Sequence, residues 1–584
     1  ASPHYGERWA RRWMDLVHYA ESHGQDQDRP REHAWPYREF LIKAFNSDLP
    51  YADFVRWQVA GDALRPDDAQ AIVATGFLAT GPWDESSLRD INETAIDRQI
   101  ARYLDRDDIV TTVMSTLTST SVQCARCHDH KFDPIPQADY YALQAVFAAT
   151  DKAERPYDAD PAVAQLRREL TARREEARKL AAAKDARLLE MLPAEQLAAW
   201  EAEYARTIGA WKTAVVETAK SGGGATLTPQ EDGSLLAGGT RPDKDVSTVD
   251  FKTGASHVTG IRLEVLTHDS LPMRGPGRQD NGNLHLSELR AFVFNKQQQA
   301  VVREIVLQKP VADFNQEGWT IAHALDGNPN TAWGIHPAVG QDHQAVVEVK
   351  SPVELGADEL LRVELQQVHG GGHLIGRLRV STTDQSGSLL SPLVVVPADV
   401  RAALDVPLES RSAVQKLSVA AYCLESTLTR ELEKLPAPSL VYCGTNQFKA
   451  DGSFRPAATP REVRVLGRGQ ISAPGDVAAA GTIGCVGELP AKFELADAEQ
   501  ESQRRVAMAE WLADERNVLV WRSIVNRVWQ FRFGRGLVET PSDFGHLGSA
   551  PTHPELLDWL TAEFQRQGGS IKSLDRLLVT SAVY

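Results

Sequence analysis

The sequence predicts a multidomain α+β protein, mainly helical in its N- and C-terminal parts, with a helical hairpin and a β-sandwich inserted between them. Three observations predict it. Apolar residues recur at helical intervals near both ends, at Trp9, Trp13, Leu16 and Val17 and again across 504–513, 519–529 and 553–567. The stretch 164–180 consists of helix formers with opposite charges three or four residues apart. After the linker Ser221-Gly-Gly-Gly224 the apolar period falls toward two. A chain of 584 residues holds three or four domains of about 100–200 residues each. The boundaries are expected at 1–155, 156–220, 223–385 and 400–584.

Taken in order, 1–155 is expected to be helical. Its charge-rich segment 84–108 is expected to be an ordered loop. The Thr/Ser-rich run 107–124, with apolar residues at helical intervals, predicts a helix reaching Cys124. Residues 128–136 are polar and end in proline, and 139–147 reads as a helix with an aromatic face. The hairpin runs through 164–180, is interrupted at Pro193 and resumes over 194–218, its charges forming a solvated face. Strands are expected at 258–266, 284–294, 345–349, 361–365 and 378–381, separated by Gly, Asn, Asp and Pro turns. Several such strands in one stretch predict a sandwich. Near the C-terminus, Thr552 followed three residues later by Glu555 has the spacing of a capping box.

Charge and hydropathy exclude some functions. Sixty-three basic against 79 acidic residues leave a net charge of −16. That argues against a nucleic-acid or membrane-surface binder, which needs a basic field. No run of 18 apolar residues exists, so no transmembrane helix is expected. The chain opens at Ala1-Ser-Pro-His and stops at Ser581-Ala-Val-Tyr584, and both ends look cut.

The most informative stretch is Cys124-Ala-Arg-Cys127-His128, the C-x-x-C-H attachment signature of covalent haem c. With five Cys and 16 His in the chain, chance gives this pattern about once in a thousand such sequences. Two thiols three residues apart on one turn can add to the two vinyl groups of a single porphyrin, and the adjacent His128 supplies the proximal iron ligand. A zinc site and a redox dithiol are the alternatives. Zinc needs four ligands, and a local set of Cys124, Cys127, His128 and His130 would strain a tetrahedron. A dithiol expects a thioredoxin-like βαβ context, which the preceding run lacks. His130, Lys131 and Arg126 are read as partners of the propionates or of the ligand shell.

Residues 123–147, from Gln123-Cys-Ala-Arg-Cys-His-Asp-His-Lys-Phe-Asp-Pro-Ile-Pro136 onward, closely resemble the cytochrome C-like domain family of planctomycetes. Tyr5-Gly-Glu-Arg-Trp-Ala-Arg-Arg-Trp-Met-Asp-Leu16 and Pro50-Tyr-Ala-Asp-Phe-Val-Arg-Trp-Gln-Val-Ala-Gly-Asp62 fit the same family. The usual C-terminal partner domain is resembled by Asn526-Arg-Val-Trp-Gln530, Phe533-Gly-Arg-Gly-Leu-Val538, Asp543-Phe-Gly545 and Pro551-Thr-His-Pro-Glu555. The resemblance implies that the two helical parts pack together. It also implies a longer precursor, with an export signal and another cytochrome domain upstream. Between the two parts, Ala324-Leu-Asp-Gly-Asn-Pro-Asn-Thr-Ala-Trp333 resembles discoidin-like jelly-roll modules, many of which bind glycans. Covalent haem attachment in bacteria places the protein in the periplasm or outside the cell.

The sixth iron position decides between electron transfer and oxidative chemistry. Distal candidates are His33 and His553, ahead of His18, His23 and Met114. Asp129, Asp133, Asp543 and Asp558 are carboxylates near the motifs, read as caps and ion pairs ahead of acid–base catalysts. In the sandwich, Asp280, Asn281 and Asn283 of an exposed loop are oxygen ligands for a Ca²⁺ ion, or turn residues. Trp333 is read as core. Cys423 and Cys443 could form a disulfide, leaving Cys485 free. The expected function is an extracytoplasmic c-type haem protein in electron transfer or oxidative chemistry, with a redox partner protein and a link to polysaccharide breakdown. The alternatives are a haem-dependent carbohydrate-active enzyme and a glycan-binding or scaffold protein with structural haem.

Overall fold

The computed structural model describes residues 2–385, 396–487 and 489–584. It is a multidomain α+β protein that divides into two compact units, 1–170 with 432–584 and 171–431.

The first unit is built from both ends of the chain. Helices Tyr5–Leu16, Trp35–Ser47 and Tyr51–Leu64 turn most of their aromatic residues inward, Trp35 excepted, and Glu501–Ala513, Val518–Phe533 and Pro554–Arg566 close on the same core. Trp9 and Trp13 are each 3% exposed, the depth expected of aromatic residues at helical spacing. Trp9 meets Phe531 edge-on at 5.6 Å, and Tyr51 meets Trp521 at 5.8 Å and Phe564 at 5.9 Å. The N- and C-terminal helical parts therefore share one core.

A buried ion network fastens them. Arg505, 1% exposed, binds Asp62 at 2.7 and 3.0 Å and Glu501 at 2.5 and 3.0 Å, and Arg155 joins Asp62 from strand Asp151–Tyr157. That strand pairs antiparallel with Ser439–Thr445. Burial pushes the Asp62 carboxyl up, but Arg505 and Arg155 outweigh it and hold its pKa down to about 2.

The second unit holds the hairpin and the sheets. Helices Pro161–Ala182, which runs into it from the first unit, and Ala194–Gly209 form the expected pair. The second ends before 218, because Val215–Ser221 is a strand paired with Asp245–Lys252. Its β-branched start, Val215-Val216, prefers a pleated neighbour to a helix. Residues 400–431, expected with the C-terminal part, pack instead on the hairpin: Val400, Ala403, Val419, Ala420 and Leu424 share a core with Ala177, Leu180, Leu188 and Trp200. Two amphipathic helices alone bury too little, and this extra layer covers their apolar faces.

The remaining strands form two antiparallel sheets. One contains Val258–Val265, Arg377–Thr383 and His343–Val353, and the other Asp245–Lys252, Glu359–Gln367 and Glu288–Asn295. Their inner faces share a single core, the arrangement of a β-sandwich. Trp333 is fully buried there and donates its indole N–H to the Phe314 carbonyl at 2.9 Å.

Candidate functional site

The site lies in the first unit and is built from the turn that carries the two thiols. Helix Ile96–Val113 replaces most of the loop expected over 84–108, and it passes into a π turn, Met114–Thr118. It does not reach Cys124. Ser119 adopts a left-handed conformation at φ 51° and ends it. Tertiary contacts explain the stop. Arg527, 1% exposed, donates to the Ser115 carbonyl at 2.8 Å, to the Thr116 carbonyl and to the Ser523 hydroxyl at 2.5 Å. The Ser119 hydroxyl donates to the Pro541 carbonyl at 2.7 Å, and its own carbonyl accepts the Phe544 N–H at 2.8 Å. A guanidinium at a helix C-terminus meets the unpaired carbonyls that the helix leaves there. With desolvation dominant, its pKa falls to about 10.

The motif follows as a 3₁₀ turn, Gln123–Arg126, closed by the Cys127 N–H on the Cys124 carbonyl at 3.4 Å. Val122 and Ala125, 1% and 0% exposed, anchor its inner side. Residues three apart eclipse on a 3₁₀ turn, so Cys124 and Cys127 stand on a common face. Both are exposed, unbridged thiols, and His128 beside them is exposed as well. The His128 Nδ1–H donates to the Asp129 carbonyl at 2.7 Å. That bond fixes the tautomer and leaves the Nε2 lone pair available, the orientation a metal-ligating histidine requires.

The helix Gln137–Val146 staples the turn in place. Gln137 donates through Nε2 to the Arg126 and Leu466 carbonyls, both at 2.9 Å, and the Tyr141 hydroxyl donates to the Arg126 carbonyl at 3.0 Å. The Gln137 N–H reaches the Asp129 carboxylate at 2.7 Å. A hairpin, Arg464–Leu466 with Pro474–Val477, leans on the same turn: a Cβ at Gly469 would lie 2.9 Å from the Cys127 sulfur. Gln137, Tyr141 and Gly469 were not picked out in the sequence. Their only sequence signal was position within the recognisable motif or a glycine-rich turn.

The other predicted residues separate. His130 turns inward with its side chain 4% exposed, and its Nδ1 accepts the Asp133 N–H at 2.9 Å. The compact Cys₂His₂ set is therefore not assembled, and among the described residues no three His, Cys, Asp or Glu side chains gather as a metal site. Lys131 is exposed over the Phe132 ring, and Arg126 lies 3.7 Å from Asp107. His33 pairs with Glu154 at 2.6 Å. His23 accepts from Arg31 between Trp83 and Tyr442, and burial lowers its pKa to about 4. Met114 is fully buried in the core. His553 is exposed and bonded to Thr552, and Thr552 itself donates to the Leu537 carbonyl, so it does not cap the following helix.

The carboxylates have structural partners. Asp129 receives Gln137, Asp133 receives the His546 N–H at 2.7 Å, Asp543 receives the Gly545 N–H at 2.9 Å, and Asp558 pairs with Arg522 at 2.5 Å. In the second unit Asp280 accepts from Arg241, Asn281 accepts from the Asn283 N–H, and Asn283 accepts from the Ile335 N–H. Turn chemistry thus occupies the oxygens considered for Ca²⁺. That loop is only partly exposed, with residues 275–278 buried. Cys423 and Cys443 are buried free thiols in separate core clusters, which corrects the disulfide expectation.

One grouping was missed altogether. His285 stacks on Trp319 at 4.4 Å and on His373 at 4.1 Å, with His369 edge-on at 4.8 Å. The sequence signal was His369-Gly-Gly-Gly-His373. His285, Trp319 and His373 form a near-parallel stack, whose rings do not aim their nitrogens at one point, and His369 meets it edge-on.

The donor chemistry of the motif fits a covalent haem: two exposed thiols on one face, and an adjacent imidazole oriented with Nε2 open. Residues 1–152 match PSCyt2, a protein family of unknown function (DUF1549), and residues 504–584 match PSD1, another family of unknown function (DUF1553). The search of curated proteins returned no match.

Proposed function

We propose that this chain is an extracytoplasmic c-type haem protein, acting in electron transfer or oxidative chemistry. Cys124 and Cys127 would hold the haem through thioether bonds, and His128 would be its proximal ligand. The observation that carries the reading is the shared exposed face of the two thiols beside a histidine whose Nδ1 is already tied to a carbonyl. The two matching families are of unknown function, so the haem reading rests on this geometry and on the motif. When bound, the haem supplies one-electron redox chemistry, and an open sixth position would extend this to oxidation of a ligand. The chain's own part is to fix the imidazole through Asp129 and to hold the turn rigid through Gln137 and Tyr141. Arg126 and Lys131 supply positive charge beside the turn.

Periplasmic or secreted placement follows from where haem c is attached. No helix among the described residues is long and apolar enough to cross a membrane. A redox partner protein receives or supplies the electrons, and the sandwich provides the link to polysaccharide. The carboxylates near the motif are already engaged, so a carboxylate-driven carbohydrate enzyme gains no support from them.

The test is production in a host that exports the chain and attaches haem c, followed by intact-mass measurement and a pyridine haemochrome spectrum. One added haem mass and a c-type band are expected. An unmodified mass from that host overturns the proposal.

A further inference from the structure

Beside the motif, in the first unit, lies a cavity of ≈ 310 Å³ whose wall includes Ile96, Ile100, Tyr103, Arg126, Gly469 and Ile471. We propose that this cavity seats one edge of the porphyrin, with Ile96 and Ile100 as its apolar wall. The proposal rests on the haem reading above and adds to it the surface against which the macrocycle lies.

Position is the first argument. Gly469 belongs both to the cavity wall and to the contact with Cys127, since a Cβ there would lie 2.9 Å from the sulfur and 3.5 Å from Arg126. At φ +70° it also occupies a conformation that L side chains rarely adopt. A group tethered through Cys127 is held at the cavity mouth at high effective concentration, which a free competitor does not have.

Exposure is the second. Ile96 is 55% and Ile100 40% exposed, and Leu104, 45% exposed, continues the row. Residues four apart on Ile96–Val113 form one helix face, so this is a continuous apolar stripe facing water. Removing exposed apolar side chains from water is favourable, so a flat apolar macrocycle laid on the stripe gains by covering it. The same helix buries Ile109, Val110 and Val113 almost completely. The stripe is therefore not a general feature of this helix.

Size and polarity are the third. Small-ligand sites run from about 300 to 1,000 Å³. The cavity is at the lower bound and holds part of a macrocycle, the rest lying over the exposed isoleucines. Its wall is apolar through Ile96, Ile100 and Ile471 and cationic at Arg126. That matches a porphyrin, an apolar disc carrying two carboxylates.

The experiment compares Ile100→Lys and Ile100→Glu with the unaltered chain, all exported and matured alike. Mass spectrometry counts the haem, and redox titration followed in the Soret band reads the midpoint potential. Oxidised iron carries one more positive charge than reduced iron. A cation against the macrocycle therefore raises the potential, and an anion lowers it. One haem on each variant, with potentials shifted in opposite directions, is the expected result. Haem on all three chains with equal potentials, or with both variants shifted the same way, overturns this placement and leaves the haem reading intact. An unaltered chain without haem overturns both.

Discussion

Cys124 and Cys127 carry the same atoms as Cys423 and Cys443, and their surroundings give them opposite chemistry. The first pair stands exposed on a turn whose inner side is pinned by Val122 and Ala125. Cys423 lies in helix Ala413–Glu433 and Cys443 in strand Ser439–Thr445, each fully buried. Burial pushes both of those thiols up to about 11. A thiol reacts as its thiolate, so it needs water or positive charge around it. The difference teaches that counting cysteines is uninformative here, and that the element carrying each one decides its use. A short turn leaves its side chains outside, whereas a core strand or helix withdraws them.

The largest effect follows from removing the exposed pair. Replacing Cys124 and Cys127 by alanine is expected to abolish covalent haem entirely, read as loss of the added mass. The Cys423→Ala and Cys443→Ala chains should keep it. If Cys443→Ala lost the haem while remaining folded by circular dichroism, the division between the two pairs would be wrong.

Alkylation sharpens the same contrast. At pH 8 a thiol with a pKa of about 11 is thiolate only to the order of one part in a thousand, before shielding is counted. In folded chain made without haem attachment, iodoacetamide is expected to label Cys124 and Cys127 first, with Cys485, exposed but with its thiol pushed up by partial burial, behind them. In haem-bearing chain Cys485 should be the first to label. Rapid labelling of Cys423 in the folded protein would contradict its burial.

Cys443 sits near Arg155 and Asp62, and this network gives the next effect. Asp62→Asn leaves Arg505 and Arg155 with less negative charge in a buried place, at a cost of about 3–5 kcal/mol. The sign with pH is fixed. Asp62 has its folded pKa depressed to about 2, below the ordinary value of about 3.9. Its stabilisation is complete above that ordinary value and is lost as pH falls through 2. Urea unfolding midpoints of the two chains should therefore differ most above pH 4 and converge toward pH 2. A gap that widens on acidification would show that Asp62 is not held as its charged form.

Much of this was legible in the sequence, and the failures have common causes. Helical spacing at Trp9 and Trp13 led to the shared core, because amphipathic periodicity records a buried face directly. The motif was legible because its chemistry demands fixed spacing. The helix end at Ser119 was not, because it is set by Arg527 and Pro541, about four hundred residues away in sequence. Nor was the place of residues 400–431, whose helical pattern is equally compatible with either core. Gly469 and Gln137 act through close approach and backbone carbonyls, which leave no compositional trace. His285 was missed because its partners come from two other loops, one carrying Trp319 and one carrying His369 and His373.

The smallest predicted effect tests how the C-terminal part supports the motif loop. Gly545 passes so close to Asp133 that a Cβ there would lie 2.3 Å from a carboxylate oxygen. Asp133 also accepts the His546 N–H, and its own N–H holds the His130 ring. Gly545→Ala must therefore displace either the carboxylate or the 543–546 segment, an overpacking expected to cost about 1–3 kcal/mol in urea unfolding of the first unit. Shortening the obstructing side chain should relieve it. Asp133→Ala loses the hydrogen bond from the His546 N–H on its own, yet Gly545→Ala added to Asp133→Ala should cost less than it does alone. Equal costs in both backgrounds would mean that the two segments do not press on each other, and that the loop bearing His128 owes nothing to this contact.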